Sequence, residues 1–234
     1  ILHDYAQQAQ GKLPASVWHY LQSDAGMGQQ SVVNTQGWQN LRLLPRPLNV
    51  LTNPNTSCAM FDEVWAHPIM LAPVAYQRLF HSDAEIGTAV ACSAQQGQMM
   101  VSSLASQSLD IIISQAQQPL WFQLYWQGDR ACTLELLQKA IAAGYSAIVF
   151  TVDAPVKQAV IDLPVGISAV NLAHPLIAKP HQIGQSQVFD GWMTQAPTCA
   201  DVDWLRQQVT MPLLLKGIMH VDDVKRAVSL GCDG

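Results

Sequence analysis

The sequence predicts an α/β protein with parallel strands, and three observations carry that expectation. Short apolar runs recur along the chain, each ending in polar residues: Leu120-Trp121-Phe122 leads into Gln123 and Tyr125, Ala147-Ile148-Val149-Phe150 into Thr151 and Asp153, and Leu213-Leu214-Leu215 into Lys216-Gly217. A strand buried on both faces reads as an unbroken hydrophobic stretch, and α/β folds keep their ligand sites at the carboxyl ends of such strands. Helical patterns lie between the runs, and strand–helix alternation forces parallel pairing. The polar endings supply an amide, a phenol, a hydroxyl, a carboxylate and an ammonium, which is an enzyme's inventory more than a core's.

The elements follow in order. Residues 4–9 and 13–21 read as two short helices, with Pro14 suited to a first helical turn. Between Gly26 and Pro54 the Gln, Asn, Pro and Gly content is high, which predicts a long wrapping loop around one extended piece at Leu41–Leu44. Cys58–Phe61 and Glu63–Ala66 fit a small hairpin turning near Asp62. From Pro68 the pattern becomes regular, with strands expected at Ile69–Leu71, Met99–Val101, Trp121–Tyr125, Ala147–Thr151 and Leu213–Leu215.

Ser82-Asp83-Ala84-Glu85 has the spacing of a capping box and opens a helix carrying Ile86, Ala89, Val90 and Ser93 on one face. A second helix shows Leu137, Ala140 and Ile141 and ends at Gly144; a last one shows Val221, Val224 and Val228 and ends at Gly231. An open doubly wound sheet and a closed eight-stranded barrel both fit this alternation. At roughly 30 residues per unit, the chain from Ile69 holds about five to six units, fewer than a closed barrel needs. Residues 154–197 are too long for an ordinary connection and read as a lid-like insertion. The expected organisation is 1–67 for helices, loop and hairpin, and 68–234 for the partial barrel.

Composition narrows the function. With 234 residues and 49% hydrophobic content the chain can bury a substantial core. The 12 Lys and Arg against 17 Asp and Glu give a net charge of −5, with the cations scattered, which argues against nucleic acid as a partner. No apolar stretch approaches the roughly 18 residues of a membrane span and no signal peptide is visible, so a cytoplasmic place is expected. The five cysteines (Cys58, Cys92, Cys132, Cys199 and Cys232) form no Cys-x-x-Cys pair and read as reduced packing residues. The histidines show no His-x-x-x-His spacing, so no metal is expected. The start at Ile1 and the stop just after a helix suggest a fragment.

At this level of detail the chain resembles the flavin mononucleotide (FMN)-dependent α-hydroxy acid oxidases and dehydrogenases, the glycolate and lactate oxidase family. The resemblance runs over nearly the whole chain: Leu13-Pro14 with Val17 and Tyr20, Pro68-Ile69-Met70-Leu71-Ala72-Pro73-Val74-Ala75, Ser102-Ser103, Phe122-Gln123-Leu124-Tyr125, Thr151-Val152-Asp153-Ala154-Pro155, Asp203-Trp204-Leu205 and Leu215-Lys216-Gly217. It implies a TIM (β/α)8 barrel of the FMN-dependent type, present here as about its first five to six βα units. It also implies FMN as cofactor and oxidation of an L-2-hydroxy acid to a 2-oxo acid.

Roles then transfer position by position. Pro73, Val74 and Ala75 would lie along the flavin with backbone groups, Ser102 and Gln123 would bond the ring edge, and Thr151 would reach the same pyrimidine side. Lys216 would sit where negative charge collects on reduction, and a cation fixed beside a developing anion lowers the barrier. Tyr20 and Tyr125 would hydrogen-bond the substrate, and Asp153 would orient and charge-stabilise a histidine base.

Several departures from the family pattern bear on activity. The family's base lies in an Asn-His-Gly-Gly-Arg stretch after the next strand, and neither it nor the later phosphate-binding glycines and arginine occur before Gly234. None of His3, His19, His67, His81, His174, His181 and His220 stands in that context. A family arginine beyond the Thr-Val-Asp motif falls at Val160, with Lys157 the nearest cation. Leu104 stands where many members carry an aromatic residue, which implies more room for the substrate side chain. The resemblance further implies a homo-oligomeric parent and peripheral contact with the inner face of a membrane through 154–197.

Plainer readings compete. Lys216 can face solvent, Gln123 and Thr151 can satisfy backbone groups, Asp153 can cap a turn with Pro155, and the methionines can fill the core. Two other functions compete as well: an inactive fragment serving as a flavin-binding or assembly piece, and a Schiff-base aldolase using Lys216.

Overall fold

The computed structural model describes residues 2–24, 28–50, 52–154, 161–173 and 184–234. Two units divide the chain, one of residues 1–56 with 160–162 and one of 57–159 with 163–234.

The smaller unit holds α1 (Leu2–Lys12) and α2 (Ala15–Gln22), as expected, with Pro14 as the N-cap of α2. It also holds α3 (Gln30–Gln39), where the sequence predicts only loop. Local bonds support this helix: the Ser31 N–H donates to Asp24 Oδ2 (2.5 Å) and the Thr35 hydroxyl to the Ser31 carbonyl (2.8 Å). Val32, Val33 and Trp38 are all exposed, so α3 buries no stripe and leaves no periodic signature. The extended piece expected at Leu41–Leu44 is not a strand, and Leu43 and Leu44 are exposed.

The larger unit opens with the expected hairpin, β1 (Cys58–Met60) and β2 (Glu63–Trp65), turning through Phe61 at φ 53°. Sequence reading grouped the hairpin with the N-terminal segment; in the structure Glu63 ties it to the main sheet. Its carboxylate accepts from Trp65 Nε1 (2.8 Å), Gln98 Nε2 (3.0 Å) and Ser146 Oγ (2.7 Å). The sheet itself is β3 (Met70–Leu71), β4 (Gln98–Ser102), β5 (Trp121–Tyr125), β6 (Ala147–Thr151) and β7 (Leu213–Lys216), all parallel in sequence order. This is the strand order of the first part of a (β/α)8 barrel. Beyond β7, the Asp233 N–H donates to the Leu213 carbonyl (2.8 Å) and the Leu215 N–H to Gly234 (2.9 Å).

The helices are α4 (Ala84–Ala94), α5 (Leu109–Ser114), α6 (Arg130–Ala143), α7 (Cys199–Gln208) and α8 (Val221–Ser229). One face of the sheet presents Phe122, Leu124, Ile148, Phe150 and Leu213 to Leu136, Leu137, Ala140 and Leu205 of the helices. Fully burying each large side chain contributes about 1.5–3 kcal/mol, so this layer dominates stability. The other face carries Trp121, Ala147 and Val149 against Met60, Trp65 and Met100, so the hairpin covers its amino end.

Several expectations need correction. α5 and α7 fall where the strand–helix alternation requires helices, but the sequence reading gives them no bounds. On α4, Ala89 and Ser93 are buried as expected but Val90 is exposed, and on α8 Val221, Val224 and Val228 are exposed while Ala227 is buried. No capping box forms at Ser82–Glu85: Asp83 is the N-cap and makes no side-chain cap bond. Cys199 is exposed rather than packed.

The insertion is anchored where it is described. The Val170 N–H donates to the Ala105 carbonyl (3.3 Å), and the buried Asn171 accepts from the Leu109 N–H (3.1 Å) and donates to the Gln107 carbonyl (2.9 Å). Lys157, Val160, His174, Lys179 and His181 lie outside the described residues.

Candidate functional site

Three adjacent strands carry one buried polar row. Ser102 and Thr151 close β4 and β6, Gln123 sits at the middle of β5, and all three are buried. The Gln123 amide bridges its neighbours: Oε1 accepts from Ser102 Oγ (3.2 Å) and Nε2 donates to Thr151 Oγ1 (3.0 Å). Ser102 Oγ in turn accepts from the Leu104 N–H (3.0 Å). Buried polar groups persist when hydrogen-bonded, and this row satisfies itself across strands that pairing places side by side.

Ser103 fixes the next turn. Its hydroxyl donates to the Gln123 carbonyl (2.7 Å) and accepts from the Tyr125 N–H (3.0 Å). Leu104, which follows it, is buried.

Charge enters at the rim. In the ladder Thr151 is paired with Tyr125 on one side and Lys216 on the other, which sets Lys216 one strand beyond the polar row. Lys216 and Asp153 are exposed, and among the described residues neither side chain makes a hydrogen bond or ion pair, although the Lys216 carbonyl accepts from the Val152 N–H (2.9 Å). Asp153 lies over Gly217, whose φ is +106°.

Pro73, Val74 and Ala75 follow β3. Just beyond them Tyr76 adopts φ 52°, and its N–H donates to the Leu104 carbonyl (2.9 Å), joining this loop to the one after β4. Tyr20 lies on α2 in the other unit, half-buried, and burial pushes its phenol above the usual value. The structure thus brings Ser102, Gln123, Tyr125, Thr151, Asp153 and Lys216 to one end of one sheet, with Pro73–Ala75 on the adjoining loop.

The described histidines of the larger unit bond to nearby backbone, His220 as the N-cap of α8. His81 Nδ1 accepts from the Asp83 N–H (3.2 Å), His220 Nδ1 from the Asp222 N–H (3.2 Å), and a His67 ring nitrogen is 3.3 Å from the Gln95 carbonyl. Among the described residues no cluster of three or more His, Cys, Asp or Glu is placed to hold a metal.

Sequence reasoning gives neither Ser103 nor Glu85 a role at the site. Ser103 had a signal, its place beside Ser102 at a strand end; Glu85 had one that pointed to helix capping instead.

The row fits a planar heteroaromatic edge that both donates and accepts, because an amide flanked by two hydroxyls offers both functions within one line. A cation one strand away fits a group that gains negative charge.

Comparison with known proteins agrees with this chemistry. Residues 9–234 match the family model described as FMN-dependent dehydrogenase. The chain is similar to an L-lactate oxidase of Alicycliphilus denitrificans, at 34% identity over 99% of this chain and 66% of the relative. It is also similar to a 4-hydroxymandelate oxidase of Amycolatopsis orientalis, at 35% identity over 100% of this chain and 68% of the relative. Among solved structures, mandelate oxidase with (S)-4-hydroxymandelic acid superposes with a TM-score of 0.87 at 33% identity, covering 100% of this chain and 68% of that one. The chain spans about two thirds of the length of the curated relatives it matches.

Proposed function

The chain belongs to the family of FMN-dependent dehydrogenases, and on that premise we propose that it carries the flavin-binding part of an enzyme that oxidises an L-2-hydroxy acid to a 2-oxo acid. The observation that carries this reading is the Ser102–Gln123–Thr151 row with Lys216 next in register. When bound, FMN supplies a two-electron acceptor for the hydride equivalent that leaves the substrate Cα.

The chain's residues do the rest. Ser102, Gln123 and Thr151 orient the pyrimidine edge, and the backbone of Pro73, Val74 and Ala75 forms the neighbouring wall. Lys216 holds a positive charge where reduction places a negative one, stabilising the transition state more than the ground state. Tyr125 donates a hydrogen bond to the substrate. Asp153 would orient and charge-stabilise a histidine base of the whole enzyme, the Asn-His-Gly-Gly-Arg stretch that carries it not occurring in residues 1–234.

Partner and location belong to the same proposal: a small 2-hydroxy acid as substrate, a homo-oligomer, and a cytoplasmic place at a membrane surface. Exposed Val165, Val188 and Phe189 in the 154–197 segment support surface contact. Among the described residues no helix is long and apolar enough to cross a membrane.

The test is direct titration of the purified chain with FMN, followed by flavin fluorescence, then anaerobic addition of L-lactate or (S)-mandelate. Saturable quenching and bleaching of the flavin band support the reading. Absence of quenching sinks the cofactor assignment, and quenching without bleaching leaves a flavin-binding piece.

A further inference from the structure

Glu85 is a carboxylate only 1% exposed, yet it makes no helix cap. Its Oε1 accepts from the backbone N–H of Gln77 (3.1 Å) and of Ser106 (2.8 Å), and the Ser106 hydroxyl lies 3.1 and 2.8 Å from its two oxygens. That hydroxyl also accepts from the Arg78 N–H (3.0 Å). A buried anion is tolerated only with such donors, and the first turn of α4 adds the favourable end of the helix dipole.

The donors come from two different loops. Gln77 and Arg78 belong to the β3–α4 connection, which carries Pro73, Val74 and Ala75. Ser106 belongs to the β4–α5 connection, which leaves Ser102, Ser103 and Leu104. Two more links cross the same seam: Tyr76 N–H to the Leu104 carbonyl (2.9 Å) and Ile86 N–H to Gln107 Oε1 (2.8 Å). Glu85 stands behind this seam, and its carboxylate reaches both loops at once.

We propose that Glu85 is a positioning residue, a buried anionic clasp that sets the Pro73–Ala75 wall against the Ser102 end of the polar row. It touches neither substrate nor cofactor; it acts through Gln77 and Ser106. A charge-assisted bond to a carboxylate is stronger than a neutral one, so an isosteric amide keeps the shape but loosens the clasp. The proposal rests on the reading that these two walls hold FMN, and its test separates the two ideas.

The variants are Glu85→Gln and Ser106→Ala in the full chain. FMN affinity is measured by fluorescence titration, and amide hydrogen exchange by mass spectrometry on peptides covering 72–80 and 102–108. The expected result for Glu85→Gln is an FMN Kd raised about tenfold, the equivalent of one such bond. Exchange rises in both loop peptides, while peptides over β5, β6 and α6 keep wild-type rates. Ser106→Ala, which removes only the hydroxyl links, gives a smaller change of the same pattern and decides the matter if Glu85→Gln does not fold. Wild-type exchange in both loops, or a uniform rise across the sheet, overturns the clasp. A wild-type chain that binds no FMN overturns the functional reading instead, and the exchange pattern still decides the clasp.

Discussion

The side chain of Asp153 occupies the space that a methyl group on Gly217 would fill. A Cβ placed on Gly217 would fall 2.5 Å from both Cβ and Cγ of Asp153, and Gly217 holds φ at +106°. Both facts require glycine there. Gly217→Ala therefore costs on the order of 2 kcal/mol and displaces Asp153. The expected outcome is a lowered melting temperature, with Asp153→Gly in the same background, which removes every clashing atom, restoring part of the loss; no restoration would detach the strain from Asp153.

Gln123→Leu removes the bridge between Ser102 and Thr151 while keeping similar volume. The chain should still fold, because Ser103 N–H keeps its bond to the Gln123 carbonyl (3.0 Å). FMN binding should weaken by roughly tenfold, the scale of one lost net hydrogen bond. Isothermal titration of the variant checks this.

Lys216 separates two chemistries. Treatment with borohydride in the presence of a 2-oxo acid should leave it unmodified, since its proposed task is to hold charge rather than to attack a carbonyl. A mass increase on the Lys216 peptide would favour the aldolase reading. Lys216→Met should weaken FMN binding without altering the melting temperature, because the side chain is exposed.

Glu63→Ala tests the opposite end of the sheet. It strands Trp65 Nε1, Gln98 Nε2 and Ser146 Oγ, which the carboxylate now satisfies. A loss of about 2–4 kcal/mol in denaturant unfolding is expected, with no change in the per-site FMN affinity of the folded fraction. A parallel loss of affinity would contradict the separation of the two ends.

Acid should loosen α7. Burial raises the Asp201 pKa, but the Thr198 N–H and hydroxyl and the Arg130 guanidinium outweigh it, holding the carboxyl below its ordinary value. A depressed folded-state pKa adds stability above the unfolded value of about 3.9, and that contribution disappears as pH falls through the folded value. Asp201→Asn should lower the melting temperature at pH 7 and flatten its dependence below about pH 4; an unchanged acid slope would refute the role.

The strands were legible because Phe122, Leu124, Ile148, Phe150 and Leu213 must all be buried, and burial on both faces leaves continuous apolar runs. α3 was not, because a helix with every side chain in water has no period to read. α5 is only six residues of Leu-Asp-Ile-Ile-Ile-Ser, a β-branched run that looks like strand. At the site, the polar residues that follow the apolar runs pointed to Ser102, Gln123 and Thr151, but the order of donors and acceptors along the row is set by the folded sheet. Glu85 misled because a Ser-x-x-Glu spacing is the same whether the carboxylate turns back to its own helix or outward to two loops.

The polar row has a thermodynamic consequence for whatever binds there. Its members already satisfy one another, so an incoming ring edge exchanges hydrogen bonds rather than adding them, and the net enthalpy from that edge is small. Such a row rejects edges with the wrong pattern far more effectively than it attracts the right one. Tightness must come from area covered elsewhere and from Lys216, while Ser102, Gln123 and Thr151 act as a filter.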